Sequence, residues 1–206
     1  MTDHFALLNE PWRPWLDLEA LKEKFIRLSA EAHPDRVHGA SAEDKEQATR
    51  RYAGLNAAYN CLREPRERLL HLLELELGQK PRDIQRIPPG TMDLFVEVGQ
   101  TCRDADAFLV QKDQVTSPLL KVKVFEQSQE WVEKLQALQQ KINVRRDELF
   151  AELQSLNAAW KTAPEPGSSN RASALPLERL EQIYRTLSYV ARWTAQLQER
   201  IVPLSF

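Results

Sequence analysis

The sequence predicts an all-α protein, on three observations. Apolar residues recur at helical spacing almost throughout, and no segment sustains the period-two alternation of a half-buried strand. Only 6 of the 206 residues are glycine, while Leu, Glu, Gln, Ala and Arg abound; these are good helix formers. Two stretches rich in proline and glycine, residues 78–90 and 163–176, punctuate the helical pattern.

The elements follow in order. Asp17 caps a helix striped by Leu18, Leu21, Phe25, Leu28 and Ala32. A tight polar loop, AHPDRVHGAS, leads to Ser41, which forms a capping box with Asp44 and opens a second helix striped by Ala48, Tyr52, Leu55, Tyr59 and Leu62. Glu64-Pro65 ends that helix, and Arg66 to Leu77 adds a turn or two. The linker GQKPRDIQRIPPG follows, then a helix from about Thr91 to Gln111 with a core stripe of Leu94, Val98, Cys102, Ala105 and Leu109. Met92, Val96 and Gly99 fall on its opposite side, with Phe95 between.

A long helix over 118–160 carries Phe125, Val132, Leu135, Ile142, Leu149, Leu153, Leu156 and Trp160. That stripe is not a clean heptad seam, which favours a globular core over a coiled coil. Residues 163–176 read as a mobile loop. The last helix carries Leu180, Ile183, Leu187, Val190, Leu197 and Ile201, with Tyr189 pointing away from the stripe. The expected organisation is a helical-hairpin domain over 1–77, a linker over 78–90 and a three-helix domain over 91–206.

Composition excludes several function classes. The chain is 42% hydrophobic and 28% charged, with 28 Lys plus Arg against 30 Asp plus Glu, a net charge of −2. That is a soluble globular composition, with no basic excess to hold nucleic acid. No apolar run is long enough to cross a bilayer, and MTDHF is not a secretory or mitochondrial leader, so a cytoplasmic protein without membrane association is expected. Cys61 and Cys102 have no metal-ligand spacing around them and read as reduced thiols; no cofactor or metal is expected.

The chemically distinctive residues sit at the first hairpin. Pro34 stops the first helix and presents His33 and Asp35 on an exposed turn. Asp35 offers a carboxylate to an arginine on a partner, and His33 a switchable donor. As an acid–base pair they lack any sign of a pocket, Gly-rich loop or metal set, so the chain does not read as an enzyme.

FALLN, the stripe ending in HPD, and RYAGLNAAYNCLREPRERLL together resemble a J domain, the module by which co-chaperones stimulate the ATPase of DnaK-type chaperones. Leu55 to Tyr59, Leu62, Pro65 and Arg68 fall where J domains carry matching residues. The resemblance implies that His33, Pro34 and Asp35 contact the chaperone, with Lys22, Lys24, Arg27 and Arg36 supplying steering. One departure stands out. Glu31 occupies a position where many J domains have lysine, and residues 1–77 hold 11 basic against 14 acidic side chains, a net −3.

No Gly/Phe-rich stretch and no CxxCxGxG repeat follows. The layout resembles the HscB-like co-chaperones, which bring an IscU-like iron–sulfur scaffold to a DnaK/HscA-type chaperone. By order along the chain, that resemblance implies a client surface at Met92, Phe95, Val96, Glu97 and Tyr189, with Glu97 meeting a basic group on the client. Asp93 and Gln100 depart from it, replacing an apolar residue and an acid. A J-domain co-chaperone for a different protein client is the alternative.

Overall fold

The computed structural model describes residues 2–37, 39, 41–81 and 87–205. Every regular element among them is helical. They are α1 (His4–Leu7), α2 (Leu18–Glu31), a 3-10 turn (Pro34–Val37), α3 (Ala42–Arg63), α4 (Pro65–Leu77), α5 (Met92–Asp113), α6 (Pro118–Thr162), α7 (Arg171–Ala174) and α8 (Leu177–Leu204). None is long and apolar enough to cross a membrane. Residues 82–86, the middle of the linker, lie outside the described residues.

The local signals act as their chemistry requires. The Asp17 carboxylate accepts the N–H groups of Glu19 and Ala20, and Ser41 with Asp44 forms a reciprocal capping box; each satisfies donors that the helix leaves open. Pro65 occupies the first position of α4, where its missing N–H costs nothing, and Gly78 ends that helix at φ 69°. The segment after Pro65 is therefore a full helix of 13 residues rather than a turn or two. Its periodicity is hard to read because Arg68, His71 and Glu74 are buried beside the leucines.

Contacts divide the chain into two compact units, Met1–Asp83 with Glu152–Tyr184, and Ile84–Ala151 with Arg185–Phe206. In the first, α3 packs against α1, α2, α4 and the 3-10 turn. Its core holds Phe5, Leu8, Leu16, Leu21, Leu28, Leu55, Leu62, Leu69, Leu72 and Leu73. Phe25 stacks on Tyr59 with centroids 4.3 Å apart, closing the α2–α3 seam. The Arg68 guanidinium is buried, donating from Nε to the Pro14 carbonyl at 2.9 Å and from an NH group to the Leu62 carbonyl at 2.6 Å.

Residues 152–184 complete this unit. Asn157 exchanges two hydrogen bonds with the Trp15 backbone, at 2.9 and 3.0 Å. Glu76 receives two from Arg171, both 2.7 Å, and one from the Trp160 indole at 3.0 Å. The stretch expected to be a mobile loop is thus anchored by α7. Arg171 is buried there against the Trp12 ring, a partner 159 positions away that local composition could not announce.

The second unit has its own core of Val98, Cys102, Ala105, Leu135, Leu138, Ile142, Val190, Trp193, Leu197 and Leu204. Two stripe residues fall outside the cores. Leu18 is exposed in the first turn of α2, and Phe125 is exposed near the start of α6. There Leu119, Leu120, Val122 and Phe125 wrap around the helix, more apolar surface than one packed face can cover.

Candidate protein-interaction sites

The first site is the turn after α2. The helix closes with the Ala32 N–H donating to Leu28 at 3.0 Å, and Pro34 starts the 3-10 turn, in which the Arg36 N–H donates to the His33 carbonyl at 3.0 Å. The Asp35 N–H donates to His33 Nδ1 at 3.3 Å. Tyr52 on α3 meets the His33 ring edge-on, with centroids 5.2 Å apart. Asp35 stands out into solvent, its side chain 89% exposed, and its carboxylate lies 3.4 Å from His33 Nδ1. The turn therefore presents an exposed carboxylate beside the imidazole, an acceptor suited to an arginine on a partner. An open groove of about 700 Å³ runs beside it, lined by Glu31, His33, Asp44, Gln47, Arg50 and Arg51 among others.

The cations expected to steer a partner divide into two groups. Lys22 and Arg27 are exposed on α2, and Arg36 is exposed on the turn, its guanidinium within 3.5 Å of the Ala30 carbonyl. Lys24 is held inside the fold. Its ammonium sits 2.5 Å from Glu10 and 3.0 Å from the Asn9 carbonyl, and the Glu10 side chain is only 6% exposed. Lys24 therefore neutralises a buried carboxylate. Ile26, 55% exposed on the same stretch as Lys22 and Arg27, is an apolar side chain open to solvent that stands off the core stripe.

The second site lies at the start of α5. Thr91, buried just before the helix, donates through its hydroxyl to the Pro88 carbonyl at 2.7 Å. Val98, Cys102 and Ala105 turn into the core, so Met92, Phe95 and Val96 are left outside at 53%, 40% and 57% exposure. Three apolar side chains open to water within five residues make an exposed apolar patch rather than a wide buried face.

Tyr189 behaves differently from expectation. It is half-buried against the core of this unit, 6.3 Å edge-on from Phe95 and 5.6 Å from Trp193, with the Arg192 guanidinium over its ring. Facing Phe95 brings it to the edge of the patch, although a wheel drawn on its own helix turns it away from the stripe. Glu97, expected to meet a cation on a partner, already meets one here: Lys141 on α6 donates to it at 2.6 Å. Nothing in the local sequence signals that pair, which joins residues 44 positions apart.

Among the described residues, no three His, Cys, Asp or Glu side chains are grouped to hold a metal ion. Burial pushes the Cys61 thiol up to about 11, reinforced by Glu67 and Glu74 and opposed by Arg68, which leaves it protonated and unreactive near neutrality.

No protein-family model matches the chain. It is 38% identical over 72 residues to the co-chaperone HscB homologues of Bordetella avium, Bordetella petrii and Paraburkholderia phymatum. That stretch is 35% of this chain and 41–43% of those relatives, so the match spans less than half of their length. In structure the chain is similar to the chaperone HscB from Vibrio cholerae, with a TM-score of 0.65 at 20% identity over the whole of both chains. Human co-chaperone HscB gives a TM-score of 0.62 at 16% identity, covering 98% of this chain and 84% of the human one. The shared fold is an N-terminal J domain followed by a C-terminal helical bundle.

Proposed function

We propose that this chain, HscB-like in sequence over one stretch and in fold throughout, is a J-domain co-chaperone of iron–sulfur cluster assembly. Residues 1–77 stimulate the ATPase of a DnaK/HscA-type chaperone, and residues 91–206 carry an IscU-like scaffold client, with 78–90 as the linker between the two tasks. The chain is an adaptor and not an enzyme. It works in the cytoplasm, without a cofactor of its own, and engages neither nucleic acid nor membrane.

The observation that carries this reading is the His33-Pro34-Asp35 turn, displayed between two capped helices with its carboxylate open to solvent. An exposed carboxylate suits acceptance of a guanidinium fork on a protein better than chemistry on a small molecule. Lys22, Arg27 and Arg36 flank the turn and approach the acidic side of the chaperone, while Lys24 contributes through Glu10. At the other site, Met92, Phe95 and Val96 form the apolar centre of the client surface, with Glu97 and Tyr189 at its edges.

The test is single-turnover ATP hydrolysis by a DnaK/HscA-type chaperone with and without the full-length chain. His33→Gln should remove the stimulation while the circular dichroism spectrum stays unchanged. Full stimulation by that variant, or none by the wild type, would refute the assignment.

A further inference from the structure

The edge of the apolar patch on α5 is electrically closed within the chain. Lys141 donates to Glu97 at 2.6 Å, with both side chains about half-exposed (58% and 42%). Further along α5, the Gln100 amide donates to Asp104 at 2.8 Å and receives the Arg103 guanidinium at 2.6 Å. Opposite, Arg192 covers the Tyr189 ring. The carboxylates of Glu97 and Asp104 therefore already have partners on α5 or α6.

We infer that Lys141 is a specificity-determining residue of the client site. By occupying Glu97, it suits the patch to a client whose facing surface is apolar and carries no cation at that point. This inference rests on the client-site reading above. In water such an exposed pair contributes little. Docking an apolar surface over it strips water from both charges, a cost that the strengthened attraction between them offsets only while the pair stays intact. The Glu97 carboxylate then keeps the ammonium it already holds, and a client cation arriving there meets the positive charge of Lys141. The consequence is asymmetric. Removing Glu97 leaves a long lysine that can swing into solvent. Removing Lys141 leaves a carboxylate at the edge of a dehydrated apolar contact, which disfavours docking.

The experiment is a calorimetric titration of the full-length chain with a purified IscU-type scaffold protein, in low and high salt. Lys141→Met should weaken binding about tenfold, and Lys141→Met with Glu97→Gln should recover most of it, as expected for an unpaired carboxylate at an interface. Glu97→Gln alone should weaken binding less than Lys141→Met does, and wild-type affinity should change little with salt. A large, salt-dependent loss in Glu97→Gln, with Lys141→Met neutral or tighter, would overturn the inference and give Glu97 a cation on the client. Met92→Ala with Val96→Ala separates the two levels. If that variant loses binding while Lys141→Met does not, the inference fails and the client site stands. If the wild type does not bind, or the double alanine variant binds normally, the client-site reading fails and the inference falls with it.

Discussion

Lys22 and Lys24 stand two positions apart on α2 and look equivalent in the sequence, yet one faces water and the other closes on a buried carboxylate. The difference has a measurable consequence. Lys24→Ala leaves Glu10, whose side chain is 6% exposed, with only Arg13 as an ion partner at 3.0 Å, and should destabilise the fold by about 1–3 kcal/mol in urea titration. Lys22→Ala removes a solvated charge and should leave stability within about 0.5 kcal/mol while lowering the rate of association with the proposed chaperone partner. Equal destabilisation by the two substitutions would show that both are surface charges. Tyr52 is a second residue whose task was hidden. Its place in the α3 stripe marks it as core, and periodicity cannot tell a stripe residue that packs on a leucine from one that meets the His33 ring.

Among the elements, α1 has only four residues and depends on its neighbours. Asp3 accepts the Ala6 N–H at 3.1 Å and the Trp12 indole at 2.8 Å, and the His4 N–H donates to His71 Nε2 on α4 at 3.1 Å. Burial, with a smaller contribution from His4 and against the pull of Asp3, holds His71 down to about 4. His4 is also lowered by burial. Protonating Nε2 would destroy its role as an acceptor. Because the unfolded imidazole titrates near 6.5, the unfolded chain binds more protons than the folded one between there and about pH 4. Stability is therefore full above pH 6.5 and falls as acid is added through that window, with a slope of at most about 1.4 kcal/mol per pH unit from this group. His71→Gln should flatten that part of the profile in thermal melts recorded from pH 7 to 4. An unchanged slope would assign the acid sensitivity to other groups.

At the scale of the whole molecule, the first compact unit is closed by chain that comes from far along the sequence. Arg171 reaches Glu76 across 95 positions, with side chains 8% and 1% exposed, and Trp160 reaches the same carboxylate across 84. Breaking one partner of so buried a pair leaves the other charged and unsatisfied. Arg171→Ala should cost about 3–5 kcal/mol in denaturant unfolding, whereas an exposed pair such as Arg50–Glu46 should cost under about 1 kcal/mol. A loss for Arg171→Ala no larger than that of Arg50→Ala would mean that residues 152–184 add little to the unit. A cut after the linker would remove the partners of Trp15 and Glu76, so the first unit is complete only in the full chain.

By itself the sequence determined what is local. Helix period, the caps at Asp17 and Ser41, the stops at Pro34 and Pro65 and the outward side of α5 each depend on residues within a few turns of one another. The backbone hydrogen bonds and side-chain directions of a helix are fixed over that same distance. The His33-Pro34-Asp35 turn was legible for this reason, as was the exposure of Met92 and Val96. Tertiary structure alone decided which charges pair with one another within the chain. It committed Lys24 to Glu10, Arg171 to Glu76 and Lys141 to Glu97, and it set Tyr189 against Phe95. Those pairings join positions 14 to 95 residues apart. A Coulombic or ring contact depends on distance in space, and the chain fixes that distance only once its helices have packed.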